Sequence, residues 1–211
     1  MPALAWLLVG AIPAAISLSA LGYLAGSMLA LLLLLRSPPL AQLGPCNLVT
    51  LLRLAMVSAL LAPLAAPAST VTILTLALTA LVLDGVDGWL ARRLGHATDF
   101  GARFDMEVDA VFGLILALNA WVAGTVGAYV LLLGLPRYAF AAAGRRFPWI
   151  EQPLPERFGR KLVCVLQILA LIALQLPPLV GPPATMLVVL TLAALAWSFG
   201  RDVLWLRRNG Q

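Results

Sequence analysis

The sequence predicts an all-α protein that spans a membrane several times, and three observations support this fold class. Hydrophobic residues make up 62% of the 211-residue chain, and only 11% of the residues are charged. The mean hydropathy of +0.99 leaves too little polar surface for a soluble domain of this size. Long apolar stretches alternate with short breaks that contain Gly, Pro or charge, as expected for helices of about 20 residues that cross a bilayer.

The apolar stretches predict seven membrane-spanning helices, at 14–36, 47–66, 70–93, 100–123, 127–144, 156–176 and 183–207. The N-terminal stretch 3–35 is too long for one upright helix and short for two. Gly10 and Pro13 favour a short interfacial piece before the first full helix. We therefore expect an N-terminal segment with an extra transmembrane helix, residues 1–43, followed by a six-helix domain, residues 44–211.

The distribution of charge predicts the orientation in the membrane. The breaks at 66–69, 124–127 and 177–183 carry no charge, whereas the basic residues lie at or near the opposite ends of the helices. The positive-inside rule places those basic ends and the C-terminus in the cytoplasm, and we expect the bacterial inner membrane. This topology and contact with anionic lipids account for the net charge of +5, so nucleic acid is not an expected partner.

Four aspartates stand out in the third and fourth predicted helices. Asp84 and Asp87 are three residues apart, and Asp105 and Asp109 are four apart, so each pair shares one helix face. An ionised carboxylate in apolar surroundings costs several kcal/mol. Two carboxylates 4 Å apart repel by about 4 kcal/mol at an effective dielectric near 20. Facing helices would gather all four, and oxygen ligands favour Mg²⁺, Mn²⁺ or Ca²⁺, so the pattern predicts a divalent-metal site.

The aspartates belong to a longer motif. Residues 84–92 read Asp-x-x-Asp-Gly-x-x-Ala-Arg and, eight residues later, residues 101–109 read Gly-x-x-x-Asp-x-x-x-Asp. This motif resembles the signature of the CDP-alcohol phosphatidyltransferases at every fixed position, and the resemblance covers about residues 44–207. It implies transfer of a phosphatidyl group from CDP-diacylglycerol to a hydroxyl acceptor, with release of CMP, and it implies a homodimer.

The resemblance also assigns roles to residues of the motif. It implies that Asp84, Asp87, Asp105 and Asp109 bind two divalent cations, Mg²⁺ or Mn²⁺, and that Asp109 is the general base on the acceptor hydroxyl. It implies further that the nucleotide pocket is lined by Gly88, Ala91, Arg92 and Gly101. The small residues among these would also allow close helix packing in lipid, and both roles are compatible.

A second group of nucleotide-binding candidates opens the second predicted helix. Family members often carry a similar Asn…Thr…Arg run that contacts the nucleotide, which assigns that role to Asn47, Thr50 and Arg53. Read alone, Asn47 would be a helix cap and Thr50 neutral. Arg53 lies two turns inside an apolar helix, where an arginine requires an anionic partner. Further along the chain, Asp99 is expected to cap the next helix, together with Thr98.

The acceptor is predicted from the remaining cations. Arg137 lies about two turns inside its helix, and Arg160 and Lys161 begin the sixth predicted helix. Together they suit the phosphate of a phosphorylated polyol, with sn-glycerol 3-phosphate first and inositol phosphate second. A free amino alcohol is the alternative acceptor, although it would suit an acidic or aromatic cage better than three cations.

A divalent-cation transporter is the competing hypothesis from another class of protein, because intramembrane aspartates occur in both. The outer helix ends carry no ionisable residue, so the sequence offers no acidic pathway across the bilayer.

Overall fold

The computed structural model describes residues 2–10, 12–36, 45–94, 98–147 and 158–209. All the regular elements within these ranges are helical, which confirms the predicted fold class. The α-helices are α1 (Pro2–Val9), α2 (Pro13–Leu35), α3 (Pro45–Ala59), α4 (Thr70–Leu94), α5 (Asp99–Val122), α6 (Leu131–Gly134), α7 (Pro136–Arg146), α8 (Phe158–Ala173) and α9 (Pro182–Asn209).

Several helices are long and apolar enough to cross a bilayer. By length and composition the candidate spans among the described residues are Pro13–Leu35, Cys46–Leu64, Thr70–Trp89 and Pro182–Arg207. The second of these continues α3 through a short 3₁₀ turn at Ala62–Leu64. The spans confirm a polytopic membrane bundle.

The N-terminal stretch divides as Gly10 and Pro13 suggest. Gly10 has a φ of +71°, a conformation that favours glycine because it has no Cβ, and α1 ends just before it. Pro13 is the first residue of α2, where its missing N–H has no helical partner to lose. A short helix therefore precedes one full-length apolar helix.

The prediction of one continuous helix over 127–144 is wrong. A 3₁₀ turn at Ala128–Val130 leads into the four-residue α6, and the chain breaks at Leu135 before α7 begins. Pro136 explains the break, because its ring disfavours the helical conformation of the preceding residue and it cannot donate a backbone hydrogen bond.

The chain forms two compact units, Met1–Ile115 and Leu116–Gln211. In the first unit α3 packs against both α4 and α2. The contact with α2 is close at Gly22 and Gly26. A methyl group on these residues would lie 2.4 Å from Leu61 Cδ1 and 2.6 Å from Leu54 Cδ1, respectively. Small residues thus let α2 lie directly on α3, as is common between helices in lipid.

The second unit is built on the packing of α8 against α9, and α6 also packs against α9. Side-chain amides on α8 and just after it satisfy backbone carbonyls. Gln175 Nε2 donates to the carbonyls of Leu116 and Leu171, each at 3.0 Å, and Gln167 donates to that of Leu133. Such bonds suit an apolar environment, where an unpaired carbonyl is costly.

Candidate active site

The four signature aspartates come together inside the first unit. Asp84 and Asp87 lie on α4, and Asp105 and Asp109 lie on α5. All four carboxylates contact a single side chain, that of Arg53 on α3. The spacing that put each pair on one helix face therefore gathers the four acids at one point.

Arg53 is fully buried and bridges the two acidic helices. Its Nη1 lies 3.1 Å from Asp87 Oδ2 and also donates to Asp105 Oδ1. Its Nη2 lies 3.0 Å from Asp84 Oδ1 and also contacts Asp109 Oδ1. Each terminal nitrogen thus binds one carboxylate from α4 and one from α5, as the forked donor geometry of a guanidinium permits.

One guanidinium does not balance four carboxylates. With all of the groups ionised, the contacts leave a formal charge of −3 in a partly buried cluster. Each close pair of carboxylates adds about 4 kcal/mol of repulsion at an effective dielectric near 20. The cluster therefore has a strong affinity for further positive charge.

The donor atoms fit divalent cations. Asp84, Asp105 and Asp109 each present a carboxylate oxygen within 4.8 Å of the other two, close enough to share an ion. The buried Asp87 Oδ1 has no hydrogen-bond partner among the described residues, so this oxygen is also available as a cation ligand. An all-oxygen set of this kind is typical of Mg²⁺, Mn²⁺ and Ca²⁺ sites.

Thr50, near the start of α3, borders the cluster, and Asn47 lies three residues before it; both are buried. The Thr50 hydroxyl lies 3.3 Å from Asp87 Oδ2 and 3.1 Å from the Cys46 carbonyl. It can donate its proton to either oxygen, so it ties α3 to the acidic face of α4.

Gly101 lies against Asn47 at the start of α5. A methyl group on Gly101 would lie 3.0 Å from Asn47 Oδ1 and 3.1 Å from Thr98 Oγ1, so the position tolerates little more than hydrogen. The Gly101 N–H donates to Thr98 Oγ1 at 3.0 Å, which makes Thr98 the helix cap. The expectation that Asp99 is the cap is wrong, because Asp99 is already the first helical residue.

The other nucleotide candidates lie on α4. Gly88 follows Asp87 directly and is half-buried. Ala91 and Arg92 lie outside the part of the chain whose side chains the structure describes. Their predicted contacts with the nucleotide stay predictions.

The acceptor candidates lie in the second unit. Arg137 is on α7, and Arg160 and Lys161 are on the first turn of α8. Lys161 is exposed, whereas Arg160 is half-buried and its Nη1 lies 3.5 Å from Asp202 Oδ2 on α9. The structure thus gives Arg160 an acidic neighbour.

Comparison with known proteins decides the family. The sequence model of the CDP-alcohol phosphatidyltransferase family matches residues 45–199, more than half of the chain. This chain belongs to that family. Two relatives, each named probable phosphatidylglycerophosphate synthase, come from the CDC 1551 / Oshkosh and ATCC 25618 / H37Rv strains of Mycobacterium tuberculosis. Each is 32% identical over 154 residues, which cover 71% of this chain and 73% of the relative. No solved structure shows a significant match.

Membership makes the protein an enzyme, an integral membrane phosphatidyltransferase of phospholipid synthesis that acts on CDP-alcohols. The predicted family and enzyme class are confirmed, and the transferase is favoured over the cation transporter. The family uses divalent metals, which agrees with the acidic cluster at Asp84, Asp105 and Asp109.

Sequence reasoning missed two features of the transferase. It assigned Arg53 to the nucleotide without considering the aspartates as its partners. The sequence already indicated that Arg53 needs an anionic partner and that the aspartates need positive charge. It also passed over Asp202, which is buried in an apolar helix beside Arg160. The signal was present, since an ionisable residue inside a membrane helix calls for a partner of opposite charge.

Proposed function

We propose that this transferase moves a phosphatidyl group from CDP-diacylglycerol to a hydroxyl acceptor and releases CMP, at the cluster around Arg53. The observation that carries the proposal is the convergence of four carboxylates on one guanidinium. The excess negative charge suits a site that holds two divalent cations, Mg²⁺ or Mn²⁺, against a phosphate-bearing donor.

In this proposal the four aspartates are the metal ligands. When bound, two divalent cations neutralise charge on the donor pyrophosphate and on the leaving CMP. Asp87 is the most enclosed ligand, with 5% of its side chain exposed, and Thr50 orients its carboxylate. Asp84 on α4 and Asp105 on α5 supply further oxygen ligands.

Asp109 has the additional role of general base. Its side chain is 46% exposed, the largest fraction among the four aspartates, so it is the carboxylate that an acceptor can best reach. A carboxylate in hydrogen-bonding reach of the acceptor hydroxyl can take its proton as the oxygen attacks phosphorus. This exposure supports the role but leaves it to be tested.

The nucleotide part of the donor is assigned to Asn47, Thr50, Arg53, Gly88, Ala91, Arg92 and Gly101. The close approach of Asn47 to Gly101 supports this assignment, because it leaves polar atoms and little bulk between α3 and α5. Both terminal nitrogens of Arg53 contact carboxylates, whereas its Nε–H has no hydrogen-bond partner among the described residues and is the N–H open to a donor phosphate.

For the acceptor we propose a phosphorylated polyol, with sn-glycerol 3-phosphate first and inositol phosphate second. Arg137, Arg160 and Lys161 would bind its phosphate. The printed name of the mycobacterial relatives, probable phosphatidylglycerophosphate synthase, supports the first choice. We also propose that residues 44–211 form the catalytic domain of a homodimer in the bacterial inner membrane, with the aspartates facing the cytoplasm.

The test is CMP release from CDP-diacylglycerol by purified protein, with sn-glycerol 3-phosphate, inositol phosphate or choline as the acceptor. We expect release to depend on a phosphorylated polyol. Release that is fastest with choline would overturn the acceptor assignment, and no release with any acceptor would overturn the proposed reaction.

The acceptor residues are tested by Arg137→Ala, with Arg145→Ala on the same helix as the matched control. Loss of a desolvated charge partner costs about 2–5 kcal/mol, so the KM for the acceptor should rise at least about 30-fold in the first variant only. The KM for CDP-diacylglycerol should stay nearly constant. A donor KM that rises while the acceptor KM holds would move Arg137 to the nucleotide site.

A further inference from the structure

A partly open apolar pocket with a volume of about 170 Å³ lies in the first unit, between α2, α3 and α5. We call it the α2 pocket. Its lining residues are Ser27, Ala30, Leu31, Leu34, Asn47, Leu51, Phe100 and Phe104. Only Ser27 and Asn47 among these are polar. Because burying apolar surface away from water is favourable, this apolar lining suits a hydrocarbon ligand.

The helices around the α2 pocket explain its shape. α2 is held directly against α3 at Gly22 and Gly26, before the stretch 27–34 that lines the pocket. On the α5 side, Phe100 and Phe104 stack with their ring centroids 5.9 Å apart and their planes within 12°. Both rings are buried, so this wall is firmly packed.

The polar edge of the α2 pocket borders the acidic cluster. Asn47 lines the pocket, and Thr50, one turn further along α3, lies 3.3 Å from Asp87 Oδ2. Phe104 lines the pocket and precedes Asp105 directly on α5. A molecule with a charged head at the aspartates and a hydrocarbon chain attached to it would find the pocket within reach.

We propose that the α2 pocket binds one acyl chain of the lipid donor, CDP-diacylglycerol. This inference rests on the proposed function, because it assumes that the donor head lies at the aspartates. It gives a role to α2, which lies before the family match at residues 45–199. The helix supplies one wall of the donor site, so the chain specificity of this enzyme depends on residues that the family signature does not contain.

Filling the pocket tests the proposal. Ala30→Phe places a ring in the cavity, because Ala30 is buried and lines it. Ala25→Phe on the same helix is the matched control, because Ala25 is exposed. Each variant is assayed for CMP release with a long-chain and a short-chain CDP-diacylglycerol. We expect Ala30→Phe to raise the KM for the long-chain donor about tenfold, the factor that two displaced methylene groups represent.

The same variant should leave the acceptor KM and the short-chain donor nearly unchanged, and Ala25→Phe should behave as wild type. Equal effects on both donors, or no effect on either, would overturn the inference while CMP release by wild type upholds the proposed function. No release by wild type would overturn both. Should Ala30→Phe fail to fold, the smaller change Ser27→Leu is read in the same way.

Photolabelling separates the donor from other lipids. CDP-diacylglycerol with a diazirine at the end of one acyl chain should label residues 27–34 or 100–104, and excess unlabelled donor should prevent this. A phosphatidylcholine that carries the same diazirine should label these residues much less. Equal labelling by both lipids would mean that the pocket holds bulk bilayer lipid, which contradicts the proposal.

Discussion

Within the described residues, two sites bring carboxylates next to a helix-borne arginine, and they differ in the number of carboxylates that each arginine contacts. In the first unit Arg53 faces four aspartates, from Asp84 to Asp109. In the second unit Arg160 lies 3.5 Å from Asp202. The contacts of Arg53 leave a large formal excess of negative charge, whereas the contact of Arg160 joins one guanidinium to one carboxylate.

The difference separates a cluster whose formal charge favours added cations from a contact in which one carboxylate lies next to one arginine. Four carboxylates around one guanidinium repel one another and hold at least one unpaired oxygen, Asp87 Oδ1. Excess charge, rather than burial alone, therefore distinguishes the cluster around Arg53, where we propose that catalysis takes place.

The largest expected effect comes from Asp109→Asn. The amide keeps an oxygen ligand but cannot take the proton of the acceptor hydroxyl. The rate of CMP release should therefore fall by about 10²–10⁴. Asp202→Asn, next to Arg160, is the matched control, and any effect of this variant on activity should be confined to the acceptor KM. Activity of Asp109→Asn within about tenfold of wild type would remove Asp109 from the role of base.

The next effect concerns stability in the absence of divalent ions. Arg53→Met removes the shared counter-charge, and breaking a buried pair in this way costs about 3–5 kcal/mol. We expect a much lower thermal unfolding midpoint in chelator, and Mn²⁺ should recover more of the loss than it adds to wild type. Arg36→Met, at the exposed end of α2, is the control. An unchanged midpoint for Arg53→Met would mean that the aspartates do not depend on Arg53.

The smallest effect is expected at the contact between Arg160 and Asp202. Asp202→Asn removes one charge but keeps an oxygen towards Arg160, whose side chain is 28% exposed and can take water as a partner. The variant should lose about 1–2 kcal/mol of stability, with no dependence on Mn²⁺. The same thermal unfolding assay measures this, and a Mn²⁺-dependent recovery would show that Asp202 belongs to a metal site.

The comparison also explains what sequence could predict. The i,i+3 and i,i+4 spacing of the aspartates fixed their helix faces, because helical periodicity is local. Spacing within α4 and α5 carries no information on α3, so the central place of Arg53 required the packed structure. Asp202 and Arg160 lie 42 residues apart, and their pairing depends equally on how α8 meets α9.

Helix boundaries were likewise predictable where the signal in the sequence is local. The sequence predicted most helices within a few residues, because long apolar runs and prolines are strong local signals. The prediction failed at Pro136, where the helix ends and a new one begins within an apolar run long enough for a single helix. The α2 pocket could not be predicted, because its lining comes from three helices, and local sequence patterns do not show how those helices pack together.

The most direct test of the central claim measures bound Mn²⁺ and CMP release on the same purified protein. The account predicts two Mn²⁺ ions per chain in wild type, fewer in Asp84→Asn and an unchanged number in Asp202→Asn. Excess chelator should stop CMP release, and added Mg²⁺ or Mn²⁺ should restore it. Full turnover in excess chelator, with no Mn²⁺ bound, would contradict the assignment of the four aspartates as a metal centre.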